Sequence, residues 1–421
     1  NSEEMPRTRA WEEEEEVVSE KKTTTKSAKA AKSKRETTKA PQVRSVEEEE
    51  EETEATPAAP TPPAQSSVPS ELMVGFDFGT NTSCYVVSDM ATGEEVGAGL
   101  VPTVVGYPKK GIIGGVLPDD RRVYIGELAL KNRMYLDLVY PMQDGVVTDH
   151  ASSNDFMCEL MKIINPDGSA SVKAVIGMPA NSTTTDNEAI RDSIRGNFKQ
   201  VLLAPEPFLS AMGLRDDSRL ADPTYIDPIK SSLFVDIGAG TTDLCLVQGY
   251  YPTAEDQSSF PFAGDAIDST FGELVKQQYP EAAPTKIVLR ETKEKFSHVG
   301  PSQTGLEMKV LIKGKPRSLE VGPLVNAACL PILDQITTSC MDLIGAAAPE
   351  LIGDVLQNII ITGGGSQIEL LAEELQKRLE MEGYENPCVK SAGAEYKYHV
   401  ARGAWKIGYT AKDEQWQSVI V

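Results

Sequence analysis

Two stretches of the chain share one layout, and this repeat constrains the fold more than any other feature. The first stretch reads MVGFDFGTNTSCYVV (residues 73–87) and the second reads LFVDIGAGTTDLCLV (residues 233–247). In both, apolar runs flank an aspartate, a glycine and a threonine-rich turn, which predicts two strands joined by a tight turn. The repeat therefore predicts two similar halves that face each other across a cleft.

The residues of the two turns are suited to holding phosphate. Glycine has no side chain, so the backbone N–H groups of a glycine turn can approach a ligand closely. Converging N–H groups, with threonine hydroxyls beside them, form a cradle for anions. The candidate phosphate-binding residues are Gly79, Thr80 and Asn81 in the first turn, and Gly238, Gly240, Thr241 and Thr242 in the second.

An aspartate precedes each turn, at Asp77 and at Asp236. A carboxylate repels a phosphate group unless a cation lies between them. Mg²⁺ meets this need, because it binds carboxylates through its retained waters together with the phosphates of a substrate. We therefore predict that Asp77 and Asp236 organise a hydrated Mg²⁺ ion.

A third glycine-containing turn occurs in IIITGGGSQIELLAEEL, near the end of the chain. The pattern predicts a strand, a glycine turn and a helix, and the N-terminus of a helix favours negative or polar groups. It lacks the third glycine of the dinucleotide fingerprint, and the chain has no G-x-x-x-x-G-K-[ST] loop. The candidate ligand-binding residues of this turn are Gly363, Gly364, Gly365 and Ser366.

Strand patterns alternate with helical patterns from residue 71 onward. NEAIRDSIRGNFKQVL (residues 187–202) and IELLAEELQKRLEMEG (residues 368–383) both space their apolar residues at helical intervals. A glycine at position 383 predicts the end of the second helix. Strands that alternate with helices indicate an α/β fold with mixed sheets covered on their faces.

Residues 1–70 have a different composition, with blocks of glutamate, a block rich in lysine and a proline-rich end. Blocks of like charge repel each other and the segment has little apolar surface to bury, which predicts a disordered tail. A solvated tether and a docking motif both remain open for it. The tail holds 16 acidic and 11 basic residues, so the remaining chain has about −17 of the net charge of −22. This balance argues against broad binding to nucleic acid.

The six cysteines and three histidines are scattered without the spacing of a metal site. Single, distant thiols are typical of a reduced, cytoplasmic protein rather than of a disulfide framework. No apolar run of about 18 residues is present, so we expect no transmembrane helix. The polar N-terminal region shows no signal peptide.

The motifs DFGTNT, DIGAGTTD and ITGGGSQI, in this order, resemble the two phosphate motifs and the adenosine motif of the actin, sugar-kinase and DnaK-type chaperone superfamily. The resemblance implies an actin-like, duplicated ribonuclease H-like fold, with two domains around a nucleotide cleft and a larger and a smaller subdomain in each. The resemblance implies a domain I at residues 71–230, with a small insert at about 102–140. It implies a domain II at residues 231–394, with a small insert at about 269–325. A C-terminal segment at residues 395–421 is implied to return to domain I.

The resemblance also implies roles for individual residues. TKEKFSHVG (residues 292–300) resembles the actin segment whose lysine and glutamate approach the adenine and ribose, which maps these roles onto Lys293 and Glu294. PEPF places Glu206 where the family has the glutamate that approaches the attacking water, with Asp236 as its partner. From the residues alone, Glu206 between two prolines is typical of a surface loop.

Within the superfamily, RMYLDLVYPMQDGV, APEPFLSAMGL and LQNIIITGGGSQI resemble the magnetosome actin-like filament family, the MamK family. The resemblance implies a cytoplasmic ATPase that uses ATP and Mg²⁺ and polymerises with itself. It also implies filaments beside magnetosome membranes, contacts with magnetosome-associated proteins and no direct insertion into a membrane. A partner of the tail remains open.

Two alternative functions remain open from the sequence. A plasmid-partitioning filament, or another bacterial actin, would use the same nucleotide motifs, because these motifs do not specify the cargo. A small-molecule kinase of the same superfamily would need a substrate pocket in the first half. The short insert at about 102–140 favours the filament class.

Overall fold

The structure is a computed structural model that describes residues 70–180 and 182–418. The predicted tail therefore lies outside the described residues, apart from Ser70. The chain builds two similar units, each with a central mixed sheet, and the helix Glu206–Leu214 lies between the two sheets.

The first unit contains these elements, in chain order: β1 (Glu71–Phe78), β2 (Thr82–Asp89), β3 (Glu95–Pro102), β4 (Val105–Pro108), β5 (Tyr124–Ile125), α1 (Gly126–Lys131), β6 (Leu136–Val139), β7 (Met142–Gln143), β8 (Val146–Val147), α2 (His150–Ile164), β9 (Ser171–Met178), α3 (Thr184–Ile194), β10 (Gln200–Pro205) and α4 (Glu206–Leu214).

The remaining elements follow: β11 (Ser232–Ile237), β12 (Thr242–Val247), β13 (Gln257–Phe260), α5 (Gly264–Gln278), α6 (Lys286–Phe296), β14 (Glu307–Ile312), β15 (Lys315–Glu320), α7 (Gly322–Ala346), α8 (Ile352–Leu356), β16 (Ile359–Thr362), α9 (Leu371–Met381), β17 (Val389–Ser391), α10 (His399–Thr410) and β18 (Gln417–Ser418).

The first sheet has the strand order β18-β10-β9-β1-β2-β3. The repeated motif forms the antiparallel hairpin β1–β2, and β9 and β10 extend the sheet in parallel. One face packs on α2 and α3, and the other face packs on α4 and α10. The chain returns to this sheet at its end, because β18 pairs with β10 and α10 packs against β1.

The second sheet has the order β13-β12-β11-β16-β17 and is built around the second copy of the motif, the hairpin β11–β12. The helices α5, α7 and α9 cover one face. On the other face, Phe208 and Ala211 of α4 pack against Phe234 and Ile360. Since Leu209 of the same helix packs in the first unit, α4 lies between the two sheets.

Small sheets stand beside the main sheets, among them the two-stranded sheet β7–β8. A three-stranded sheet, β5-β4-β6, forms with α1 a separate core around Tyr124 and Leu136. In the second unit, β14 and β15 form an isolated hairpin.

The helix predicted over residues 187–202 is wrong at its C-terminal end. The helix α3 ends at Ile194 and Gly196 has a φ of 80°, a left-handed conformation that glycine adopts at no steric cost. The residues QVL then begin β10, where they are buried or half-buried in the sheet. The predicted end of the later helix is confirmed, because α9 ends at Met381 and Gly383 follows with a φ of 95°.

Candidate functional site

A cavity of about 340 Å³ lies between the two hairpin turns. A pocket of this size falls within the range of small-molecule and cofactor sites. The cavity is lined by most of the predicted site residues, from both halves of the chain: Asp77, Gly79, Thr80, Asn81, Glu206, Asp236, Gly238, Gly240, Thr241, Lys293, Glu294, Gly363, Gly364 and Gly365.

Two predicted residues do not line the cavity. Thr242 is buried as the first residue of β12, and its hydroxyl donates to the Phe262 carbonyl. Ser366 donates its hydroxyl to the Gly363 carbonyl within a 3-10 turn over Gly364–Gln367. This turn takes the place of the helix start that the sequence pattern predicts, and α9 begins only at Leu371.

The first turn is fixed by neighbours in its own half. The Thr103 hydroxyl donates to the Gly79 carbonyl at 2.7 Å. The Thr80 hydroxyl oxygen accepts the N–H of Gly145 at 3.0 Å. The first turn is thereby tied to the segment Pro141–Asp149, which reaches across to the second turn.

The second turn needs glycine because backbone from the first half lies against it. A Cβ atom added at Gly240 would lie 2.5 Å from the Cα atom of Asp144, closer than real Cβ atoms approach. Within the turn, the N–H of Gly238 donates to the Thr241 carbonyl at 2.9 Å. The contact at Gly240 therefore brings the second phosphate turn into direct contact with the other half.

The triple-glycine turn lies against the base of the second hairpin. Gly363 has a φ of 72°, and a Cβ atom there would lie 2.3 Å from Oδ1 of Asp236. Its strand, β16, pairs with β11 so that Thr362 lies beside Asp236. The turn can therefore approach the Asp236 carboxylate only because its first residue is glycine.

Three carboxylates of the cavity wall, Asp77, Glu206 and Asp236, form a cluster with Asp243, which pairs with Asp236 in the second hairpin. Asp236 and Asp243 are buried, and Asp77 and Glu206 are half-buried and face the cavity. Loss of hydration, with the charge of Asp236 next, raises the pKa of Asp77 to about 8. Burial, with the charge of Asp243, raises the pKa of Asp236 to about 7, against a hydrogen bond from Ser210 that lowers it. The cluster therefore favours a compensating cation or retained protons.

Glu206 is the first residue of α4, directly after the cap residue Pro205. Loss of hydration raises the pKa of Glu206 well above its usual range, and the charges of Asp77, Asp243 and Asp236 raise it further. A Cβ atom at Gly177 would lie 2.9 Å from Cγ of Glu206. Gly177 thus leaves room for this side chain, which the structure places in the cavity wall rather than on a surface loop.

Asp243 is a member of the cluster that the sequence interpretation missed. Its carboxylate accepts the Thr241 hydroxyl at 2.6 Å and, from the other half of the chain, the N–H of Ala180 at 3.0 Å. The second acidic residue of the quoted motif DIGAGTTD was the available signal. In a two-residue alternation it lies on the same face of the hairpin as its partner Asp236.

Lys293 and Glu294 lie on α6 and line the cavity together with Arg290. The Lys293 ammonium donates to the Gly264 carbonyl at 2.9 Å and forms an ion pair with Asp268 at 3.0 Å. Lys293 is therefore held at the start of α5, beside the second phosphate turn. Its charge is shared with Asp268.

A sequence model of the MreB/Mbl protein family matches residues 125–400, more than half of the chain. The actin-like protein MamK of Paramagnetospirillum magneticum is 29% identical over 361 residues, which cover 84% of this chain and 97% of that protein. The chain belongs to the MreB/Mbl family, in its MamK branch. The family resemblance seen in the sequence is thereby confirmed.

Solved structures of MamK show the same fold as this MreB/Mbl protein. A MamK double helical filament superposes with a TM-score of 0.72 at 29% identity, over 81% of this chain and all of that chain. A non-polymerising MamK mutant bound to AMPPNP superposes with a TM-score of 0.57 at 29% identity, over 81% of this chain and 99% of that chain. The predicted actin-like α/β fold is confirmed.

The cavity of this MamK-branch protein has further lining residues that the sequence interpretation did not assign. They include Gly145, Gly264, Arg290, Gln367 and Lys397. Gly145 lies in the quoted segment RMYLDLVYPMQDGV and Gly264 begins α5, and the sequence interpretation gave neither residue a role at the site. Lys397, just before α10, had no local signal, because the return of the chain to the cleft depends on the tertiary fold.

The residues of this MreB/Mbl protein fit a phosphate group with a hydrated cation. Glycine turns from both halves line the cavity, and the carboxylates beside them have raised pKa values that a cation would lower. Within residues 70–180 and 182–418, no three His, Cys, Asp or Glu side chains are grouped to hold an ion directly.

None of the helices in residues 70–180 and 182–418 has the length and apolarity to cross a membrane.

Proposed function

We propose that this protein binds ATP with Mg²⁺ in the cavity, hydrolyses the γ-phosphate and assembles into filaments. The observation that carries the proposal is one cavity shared by both phosphate turns, the triple-glycine turn and the carboxylate cluster. MamK bound to AMPPNP supports the nucleotide, and the MamK double helical filament supports self-assembly.

In this proposal the turns hold the phosphates and α6 holds the nucleoside. Backbone N–H groups of the two hairpin turns, with the Thr80 hydroxyl, donate to phosphate oxygens, whereas the Thr241 hydroxyl stays on Asp243. Lys293 and Glu294 contact the base and ribose, and the triple-glycine turn lies along the adenosine because no side chain keeps it away. Thr242 and Ser366 act indirectly, by holding the shape of their turns.

Hydrolysis then depends on positioning and on charge, as is general for phosphoryl transfer. Glu206 orients the attacking water, because it is the cavity carboxylate that α4 fixes between the two halves. Asp236 polarises this water from the opposite half, and Asp77 faces Asp236 across the phosphate site. Mg²⁺, held through water by Asp77 and Asp236, would neutralise phosphate charge and lower the pKa values of the carboxylates.

The proposed domains follow the two sheets. Residues 71–230 and 231–394 form domains I and II, and residues 395–421 complete domain I, which the pairing of β18 with β10 supports. Inserts at about 102–140 and 269–325 form the small outer subdomains. Because the cavity takes residues from both domains, we propose that contacts with a neighbouring subunit favour the closed cleft and promote hydrolysis.

The cargo in this proposal is the magnetosome. Its support is the similarity to MamK over 84% of the chain. The filaments would lie in the cytoplasm beside magnetosome membranes and contact magnetosome-associated proteins, without inserting into the membrane.

The test is sedimentation and electron microscopy of the purified chain with Mg-ATP, with Mg-ADP or without nucleotide, together with phosphate release. We expect filaments and slow phosphate release with Mg-ATP. Glu206→Gln keeps the shape of the side chain but removes the carboxylate, so this variant should assemble and release phosphate at least about a hundredfold more slowly. Absence of filaments in every condition, with ATP consumed only when a sugar is added, would contradict the proposal and favour the kinase.

A further inference from the structure

Asp265, the second residue of α5, joins the two halves at the edge of the cavity. Its Oδ1 atom accepts the side-chain amide of Asn81, from the first phosphate turn, at 3.1 Å. The same oxygen accepts Nη2 of Arg290, from α6, at 3.3 Å. One carboxylate oxygen therefore links the first half of the chain to the helix that carries Lys293 and Glu294.

Asp265 is also fixed to the second phosphate turn. Its N–H donates to the Ala239 carbonyl at 2.8 Å, and the N–H of Gly264 donates to the Gly238 carbonyl at 3.2 Å. The start of α5 cannot move without moving this turn. Any contact between Asp265 and Asn81 is therefore a contact between the two phosphate turns.

Asp265 itself does not line the cavity, whereas Asn81 and Arg290 do. A ligand in the cavity would contact the two partners of Asp265 and not its carboxylate. An effect of Asp265 on the ligand must therefore act through the position of the two partners. This separates Asp265 from Asp77, Glu206 and Asp236, which line the cavity.

We propose that Asp265 is a positioning residue that latches the cleft and slows the release of bound nucleotide. The proposal rests on the nucleotide site proposed above and adds how that site retains its ligand. The hydrogen bond from Asn81 to Asp265 must break before the two turns separate. The ion pair with Arg290 keeps the Asp265 carboxylate in the position where it can accept this hydrogen bond again. The latch acts on dissociation, because the bond forms when the cleft is closed.

The expected size follows from the exposure of the pair. Asp265 and Arg290 each have side chains 39% exposed, so water competes for the bond and its contribution is moderate. Loss of one such hydrogen bond to a charged acceptor should accelerate nucleotide release about fivefold. Asp265→Asn keeps an acceptor for Asn81 and loses the ion pair, so its effect should be smaller.

The experiment is stopped-flow displacement of a fluorescent ADP analogue from the full chain, in the presence of Mg²⁺. It uses the wild type, Asp265→Ala, Asn81→Ala and the double variant. Glu273→Ala is the matched control, because Glu273 is an exposed acid on the same helix. The latch predicts faster nucleotide release for each single variant. The double variant should release nucleotide no faster than the faster of the two single variants, and Asp265→Ala should associate with nucleotide at the wild-type rate.

Thermal unfolding without nucleotide separates the latch from a general loss of structure, because Asp265→Ala should unfold close to the wild type. Release from Asp265→Ala at the wild-type rate would overturn the latch while leaving nucleotide binding intact. So would a double variant whose release is accelerated by the product of the two single accelerations. A wild-type chain that does not bind the ADP analogue would instead refute the nucleotide site, and the latch with it.

Discussion

The two hairpins that hold the phosphate turns have the same backbone plan but different charge. In the first hairpin Asp77 pairs with Cys84, and in the second Asp236 pairs with Asp243 at the corresponding position. Burial raises the pKa of the Cys84 thiol, with the charge of Asp77 next, so this position stays neutral. The first half thus provides one carboxylate from its hairpin and the second half provides two.

This difference shows how a duplicated fold can divide its tasks. In the first half, the strand beside Asp77 carries Gly177, which leaves room for Glu206. In the second half, the extra carboxylate of Asp243 accepts the N–H of Ala180 and so connects the two halves. The strand beside the first hairpin therefore leaves room for Glu206, and the second hairpin adds charge and a connection between the two halves.

The largest effect should come from making the two hairpins alike. Cys84→Asp would place a further carboxylate opposite Asp77, at a position that is 1% exposed. A buried charge without a partner should lower the free energy of unfolding by about 3 kcal/mol at pH 8. The loss should be smaller at pH 5, where the new carboxyl is protonated.

Urea unfolding at the two pH values checks this prediction. Cys84→Ser is the control, since it is polar and similar in size but carries no charge. Equal stability of Cys84→Asp and Cys84→Ser at pH 8 would mean that the position of Cys84 has no need to stay neutral.

A smaller effect should follow from removing the carboxylate of Asp243. Asp243→Ala leaves the Ala180 N–H and the Thr241 hydroxyl without their shared acceptor. Loss of these hydrogen bonds should lower the free energy of unfolding by about 1–3 kcal/mol. Calorimetric unfolding of this variant beside Asp243→Asn, which keeps an acceptor oxygen, measures the effect, and equal stability of the two variants would count against the connection.

The smallest effect should come from removing only the charge of Asp243. The charge of Asp243 raises the pKa values of both Glu206 and Asp236. Asp243→Asn should therefore move the acidic limb of the pH profile of phosphate release to lower pH, with little change in the plateau rate. An acidic limb at the wild-type position would separate Asp243 from the electrostatics of hydrolysis.

The sequence was sufficient to find the parts of the site but not their connections. Both hairpins, Asp77, Asp236 and the triple-glycine turn could be found because each is a local pattern of a few residues. The partner of Asp243 is 63 positions away, and the partner of Asn81 is 184 positions away. No local pattern encodes such contacts, because they arise only when the two units pack around α4.

The error at α3 has a similar physical cause. The apolar residues after Gly196 continue the helical spacing, but they form the strand β10 of the first sheet. Burial between β9 and β18 outweighs a local preference for helix. Tertiary packing therefore determines that Gln200–Pro205 form a strand.

The most direct test of the site is calorimetric titration of the full chain with Mg-ATP, between pH 6.5 and 8.5, in buffers that differ in ionisation enthalpy. Without ligand, the pKa values of Asp77 and Asp236 are about 8 and about 7, so both carboxyls are partly protonated near neutral pH. A cation beside them lowers both values, so binding should release protons and strengthen as the pH rises through 7 to 8. Asp236→Asn should release fewer protons. Proton uptake on binding, or Mg-ATP affinity that falls over this range, would contradict a cation site at these carboxylates.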